Sequence, residues 1–203
     1  MIGIINYGAG NIFSLTAALK RVGVAYGLVN ELSDFELYDR FIIPGVGHAG
    51  TAIQRLHNSG FVDKIKQTKK PVLGICVGMQ LLSIYSEEGD VDLLGLMPLK
   101  TLHFEKRIKE KVPHMGWNTV CIKNSHPIFK DVPDKSYFYF VHSYFLEQSD
   151  LYTVASCQYG LEFSAAIGKD NFVAVQFHPE KSGVLGESLL HNFAHWQYGE
   201  ELV

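Results

Sequence analysis

A cysteine set between two glycines, at the seam between an apolar run and a helix-forming run, constrains this chain more than any other feature. Pro71-Val72-Leu73 leads into Gly74-Ile75-Cys76-Val77-Gly78, and Met79-Gln80-Leu81-Leu82 follows. That is the pattern of a strand-to-helix elbow carrying a nucleophile. The glycines are needed because the nucleophile's backbone is strained in such a turn and its neighbours pack closely. The elbow lifts the sulfur out of a sheet and sets it at a helix N-terminus, beside partial positive charge that suits a reactive thiolate. Taken alone, the run fits a buried structural cysteine equally well.

An elbow needs a parallel sheet beneath it, and the first half of the chain reads as one. Residues 2–6, 24–29, 41–43 and 72–75 read as short apolar strands. Residues 12–22, 49–56 and 61–66 read as helices, the first with Leu15, Ala18, Leu19 and Val22 at helical spacing. Such alternation implies a mostly parallel sheet covered on both faces, with ligand sites beyond the carboxyl ends of its strands. The second half is richer in strands, at 117–122, 137–142, 152–157, 163–167 and 173–177, and closes with a helix over 185–196. Residues 100–113 carry six basic side chains, counting His103, and read as a surface loop or hairpin. Residues 115–118 read as a turn with a packed Trp117. No repeat or linker divides the chain, so one domain over residues 1–203 is expected.

Other classes fall away on composition. A net charge of −3 speaks against nonspecific nucleic-acid binding, and no 18-residue apolar run offers a membrane span. The first six residues read as a core strand rather than a signal peptide. Cys76, Cys121 and Cys157 are odd in number and match no disulfide framework, which points to a reducing cytoplasm. Glu187, His191 and His195 recur at helical spacing, but a packed or solvated helix face explains them better than a metal site.

Three further segments end strands, the first two of them on the side where the elbow lies. Gln176-Phe177-His178-Pro179-Glu180 places a carboxylate two residues from an imidazole, across a stiffening proline. There Glu180 orients His178 while the other ring nitrogen faces a nucleophile, the third-group logic of a catalytic triad. Pro44-Gly45-Val46-Gly47 would let backbone amides approach a substrate and donate to an oxyanion. His142-Ser143-Tyr144 offers a hydroxyl and backbone groups to a substrate's charged ends, or simply anchors a core tyrosine.

Together, in this order, these motifs resemble those of the class I (triad) glutamine amidotransferases, nearly end to end. Within that family the chain looks most like the glutaminase subunits of imidazole glycerol phosphate synthases. The elbow continues with Met-Gln rather than His-Gln. Asn6-Tyr7-Gly8-Ala9-Gly10-Asn11, Pro113-His114-Met115-Gly116-Trp117-Asn118 and Tyr139-Phe140-Val141-His142-Ser143-Tyr144 match segments of that branch. Asn6 stands where Asp is common and Val77 where Leu is common, and neither change removes a catalytic group.

The resemblance implies a three-layer α/β/α, flavodoxin-like fold with a central, mostly parallel sheet. It implies glutamine hydrolysis by Cys76, His178 and Glu180, with Gly45, Val46, Gly47 and Val77 around the oxyanion and Gln80, Ser143 and Tyr144 lining the glutamine pocket. It implies no metal and no organic cofactor. It implies a heterodimer with a TIM-barrel cyclase that receives the ammonia, contacted by Asn11, Tyr139 and Lys181, with products that include imidazole glycerol phosphate and a carboxamide ribotide. Three alternatives stay open: a relative that feeds ammonia to sugar amidation for surface polysaccharides, a stand-alone cysteine hydrolase, and a binding subunit with a relic site.

Overall fold

The computed structural model describes residues 1–199; residues 200–203 of the expected domain lie outside them. The first half forms β1 (Ile2–Ile5), α1 (Ile12–Val22), β2 (Tyr26–Val29), β3 (Arg40–Ile43), α2 (Ala49–Asn58), α3 (Val62–Gln67), β4 (Val72–Ile75) and α4 (Val77–Gln80). The second half forms β5 (Tyr85–Ser86), β6 (Val91–Asp92), β7 (Lys100–His103), β8 (His114–Ile122), β9 (Ser136–His142), β10 (Tyr144–Leu146), β11 (Thr153–Tyr159), β12 (Leu161–Lys169), β13 (Phe172–Val175) and α5 (Gly183–His195).

The sequence-expected alternation is present. Strands β2, β1, β3, β4 and β13 lie side by side, all parallel. Strands β1, β3, β4 and β13 are buried throughout, as strands covered on both faces must be, while β2 at the sheet edge is only partly buried. The step from β1 to β2 and the step from β3 to β4 run in opposite directions across the sheet. Right-handed crossovers therefore put α1 on one face and α2 with α3 on the other. Helix α5 packs beside α1. Helix α1 starts where the Asn11 side chain accepts the Ser14 N–H at 3.1 Å and stops at Gly23 in the left-handed conformation.

Beyond β13 the sheet turns mostly antiparallel, the β5–β7 pair alone being parallel among the described strands there. Strand β12 pairs with β13, β10 and β11; β8 pairs with β11 and β9; β7 pairs with β10 and β5. Two expectations fail here. Residues 100–113 are not simply a surface loop: β7 is a sheet strand, Thr101 is buried, and Phe104 is fully buried against Phe145 and Phe163. Residues 115–118 are not a turn: they lie inside β8, where Met115 and Trp117 stand exposed on one face with Tyr137 of β9. A tryptophan in an alternating strand is read as core by default, and here the alternation points it outward.

Register brings the site together. Ile43 pairs with Gly74, and Ile75 pairs with Val175, so the carboxyl ends of β3, β4 and β13 are neighbours. Residues 44–47, the elbow, and 176–180 emerge side by side. The elbow seats only because Gly78 lacks a side chain: a Cβ there would lie 1.9 Å from the Ile43 carbonyl oxygen. Gly74 is likewise pinned: a Cβ there would lie 2.6 Å from the Gly78 oxygen. Gly47, by contrast, has a φ of 87° with nothing within 4 Å of a built Cβ. Urea denaturation should separate these causes. Gly78→Ala is expected to cost about 3 kcal/mol or to prevent folding, because backbone must move. Gly47→Ala should cost only about 1 kcal/mol of backbone strain.

Candidate active site

Cys76 adopts φ 55° and ψ −111°, conformational space that residues with a side chain seldom occupy. Neighbours over-determine this strain. The Cys76 N–H donates to the Val175 carbonyl at 2.8 Å, and the Cys76 carbonyl accepts from Met79 N–H at 2.9 Å. The side chain is buried. Helix α4 is a single turn of four residues, so its dipole is short and adds less than a full helix would. The cation available to the sulfur is His178.

His178 and Glu180 form a buried pair. The His178 Nδ1–H donates to Glu180 Oε1 at 2.7 Å, and the two side chains are 2% and 4% exposed. The backbone is clamped as well: His178 N–H donates to the Tyr139 carbonyl at 2.9 Å, and Ser182 Oγ–H donates to the His178 carbonyl at 2.7 Å. His178 Nε2 is buried and makes no hydrogen bond within the chain. Burial alone would push this imidazole down. Its interactions with Cys76, and then with Glu180, outweigh that and lift it to about 10. The ring is thus held toward its protonated form, with Cys76 and Glu180 as the groups that favour it.

A cavity of about 440 Å³ opens over these groups, a size that suits a small metabolite. Of the sequence-predicted residues, Val46, Gly47, Cys76, Val77, Gln80, Ser143, Tyr144, His178 and Lys181 line it. Gly45 instead packs on the elbow, where a Cβ would meet the Gly78 nitrogen at 2.4 Å. Together with Asn11 and Glu180 it borders a much smaller void behind the site. Tyr7 Oη–H donates to the Pro44 carbonyl at 2.6 Å and so ties down the loop 44–47. Burial, and then the nearby Cys76, push the Tyr7 phenol upward, which keeps it a donor.

Sequence reasoning missed several lining groups. Glu88 borders the cavity and accepts the Ala49 N–H at 2.6 Å; Pro113, Val141 and His142 also border it. Gln176 opens the 176–180 motif, which by sequence alone gives it no role. It is fully buried; its amide N–H donates to Cys76 Sγ at 3.6 Å and its oxygen accepts from Gln80 Nε2 at 3.2 Å. A lone amide in the apolar run 173–177 was the available signal.

Asn11 caps α1. The Lys181 ammonium sits over the Tyr139 ring, 5.8 Å from its centroid, and Trp117 meets the same ring edge-on at 6.1 Å. These two rings and one cation form a cluster that reaches the cavity through Lys181. On α5, Glu187 pairs with Arg21 at 2.6 Å while the exposed His191 and His195 rings lie against each other, so the stripe is a solvated helix face. Among the described residues no helix is long and apolar enough to cross a membrane.

Residues 3–196 match the glutamine amidotransferase class-I family. The imidazole glycerol phosphate synthase subunit HisH of Bacteroides fragilis is 47% identical over 194 residues, spanning 95% of this chain and 97% of that one. The subunit named HisH 2 of Pseudomonas aeruginosa is 43% identical over 198 residues, spanning 95% and 98%. Among solved structures, a glutamine amidotransferase from Thermotoga maritima superposes with a TM-score of 0.70 at 14% identity, covering 96% of this chain and 98% of that one. PurLQS from the same organism gives 0.69 at 17% identity, covering 95% and 96%. At such identities the structural likeness speaks for the fold.

The His178 titration follows from the pair geometry. In the intact chain the imidazole should stay protonated through neutral pH and titrate near pH 10, followed by ring NMR. Cys76→Ala removes a raising partner and leaves burial, so the midpoint should fall. A midpoint unchanged in Cys76→Ala would mean that the sulfur does not hold the cation.

Proposed function

The chain belongs to the class I glutamine amidotransferase family, and from that premise we propose that it is the glutaminase subunit of an imidazole glycerol phosphate synthase, acting in histidine biosynthesis. The observation that carries the reading is the buried His178–Glu180 pair set beside a strained cysteine in one metabolite-sized cavity. Near-full-length identity to the HisH subunits narrows the family to that branch.

The chemistry follows from the groups present. The Cys76 thiolate attacks the side-chain amide carbon of glutamine, and the carbonyl electrons move to oxygen. The oxyanion is met by backbone N–H groups of the 44–47 loop, at Gly45, Val46 and Gly47, and by Val77, whose N–H starts a helix and has no intrahelical acceptor. As the tetrahedral centre collapses, the C–N bond breaks and His178 delivers its proton to the leaving nitrogen, releasing ammonia. Water, deprotonated by His178, attacks the thioester; glutamate departs and the thiolate–imidazolium pair is restored. Glu180 holds the ring throughout. Gln80, Ser143 and Tyr144 hold the substrate. The half-reaction uses no metal and no organic cofactor.

Ammonia that escapes into water is protonated and lost to the synthase, so a glutaminase of this kind works docked on an acceptor. The face of β8 and β9 fits that role. It presents Met115, Trp117 and Tyr137 to solvent beside Lys181 and Tyr139, and exposed apolar patches mark interaction surfaces. A TIM-barrel cyclase, completing the lyase activity of a cytoplasmic heterodimer, is the partner proposed, with Asn11, Tyr139 and Lys181 at the contact. Both halves of the chain contribute strands to one sheet, which supports a single glutaminase domain.

Glutamate release from glutamine, with the chain alone and then with a histidine-pathway cyclase and its nucleotide ligand, tests this reading. Stimulation by partner and ligand is expected. Cys76→Ala should lose at least about a thousandfold in rate, as removal of a nucleophile does. No hydrolysis with the cyclase, but hydrolysis with a sugar-amidating partner, would reassign the subunit. Lys181→Ala should weaken the stimulation, read as the ratio of rates with and without the nucleotide. A ratio equal to that of the intact chain would remove Lys181 from the docking contact.

A further inference from the structure

Behind the cavity, β8 and β9 bury two histidines that the triad does not use. His114 and His142 are opposite each other in the strand register, with His114 Nδ1 and His142 Nε2 2.9 Å apart. His142 Nδ1 lies 2.7 Å from the Tyr144 carbonyl oxygen, and His114 Nε2 lies 3.1 Å from Asn118 Nδ2. The proton positions along this chain can be derived. A carbonyl only accepts, so His142 Nδ1 carries a proton. Both rings are buried, which lowers His114 to about 4 and His142 to about 3, so both are neutral near pH 7. A neutral His142 then accepts at Nε2, and His114 must donate from Nδ1. A neutral His114 accepts at Nε2, and Asn118 is the donor. Asn118 is held to that role, because its oxygen already accepts the Thr119 N–H at 2.7 Å and its amide also donates to the Gln158 carbonyl at 3.0 Å. His114 is further gripped between the rings of Tyr159 and Phe140, with centroids at 4.1 and 4.8 Å.

The chain of donors ends on a carbonyl shared with the pocket. Gln80 Nε2 donates to that same Tyr144 oxygen at 3.2 Å and to Gln176 Oε1 at 3.2 Å. Both amide hydrogens of Gln80 are thereby spent. Its remaining polar atom, Oε1, is buried with no partner in the chain, on a residue that lines the cavity. An orphan buried acceptor is costly unless a ligand donates to it.

The geometry points to His142, backed by His114 and Asn118, as a positioning residue that fixes the Tyr144 carbonyl and so forces Gln80 to present an acceptor rather than a donor to the substrate. This rests on the glutaminase reading above. It assigns the cavity a chemical preference: the group seated at Gln80 is an N–H donor of the substrate, an amide or ammonium nitrogen. Without the His142 donor the 144–145 peptide can turn, Gln80 can flip, and two N–H groups would face each other.

Two substitutions at one position separate this role from mere packing. Asparagine places an amide nitrogen near the Nδ1 position of histidine, whereas glutamine reaches the Nε2 position. His142→Asn therefore keeps the donor to Tyr144 and abandons His114; His142→Gln does the reverse. With the full chain and its partner, His142→Gln should raise the KM for glutamine about tenfold or more, as an unpaired buried polar group costs, with kcat changed less than about threefold. His142→Asn should keep KM within about threefold, although it leaves the His114 Nδ1–H unpaired and lowers the melting temperature. Nitrogen-15 NMR of the ring should show both histidines neutral and protonated at Nδ1. Equal KM in both variants and the intact chain, a KM rise in His142→Asn matching that in His142→Gln, or protonation of His142 at Nε2 would overturn the assignment. An intact chain that never hydrolyses glutamine with any partner would sink the glutaminase reading itself, an outcome distinct from hydrolysis with the predicted KM pattern missing.

Discussion

The contact on which the site depends is the approach of Gly78 to the carbonyl oxygen of Ile43. It lets the one-turn helix α4 drop against the end of β3, and that placement does two things together. It forces Cys76 into left-handed backbone space, which directs the sulfur away from the sheet. It also brings Gly45 against the elbow, so the 44–47 loop and the nucleophile share one wall. Any side chain at position 78 would separate the cysteine from the amides that face it. The elbow's strain is tolerable because Val175, Met79 and Gln80 all hydrogen-bond the Cys76 backbone, so the strained residue is the best-anchored one in the segment.

Electrostatics completes what the packing begins. A protonated imidazole as buried as His178 would ordinarily give up its proton. It keeps it because Cys76 and Glu180 flank it, one on each side of the ring. The pair is only as good as its geometry, since a buried charge whose partner shifts away is strongly destabilising. That explains the density of backbone clamps around it: Tyr139 accepts from His178, donates to Ser182, and Ser182 closes the ring of contacts onto the His178 carbonyl. The same strand, β9, that clamps His178 also carries His142 toward the cavity, so both histidines are referenced to one backbone.

Much of this was legible in the residues. The parallel half could be read because buried strands are uniformly apolar and the helices between them carry an apolar stripe; α1 lies where its spacing and caps put it. The Cys76 elbow and the His178–Glu180 contact were legible because glycine spacing around Cys76 and the short His-Pro-Glu interval each have few physical uses. The antiparallel half was harder. Strand β10 is three residues long, and β7 hides among lysines whose alternate neighbours are buried. Gln176 and His142 escaped because their work depends on which atoms meet across strands, which periodicity does not encode. Glu88 escaped for a similar reason, since it reaches the cavity from a loop whose path only tertiary packing determines.

Trp117 illustrates a different blindness. Hydrophobic patterning reports that a side chain leaves water, but not what it leaves water for. In β8 the inward residues, such as His114, are polar and paired, while the outward ones, Met115 and Trp117, are large and apolar. Read as a free-standing domain, that strand is inside out. The inversion becomes reasonable on the function proposed above, in which the inner face fixes proton positions to orient a pocket and the outer face offers apolar area to a neighbour. A buried histidine and an exposed tryptophan three residues apart are then two halves of one arrangement, linking the surface beside the cavity mouth to the carbonyl that orients Gln80.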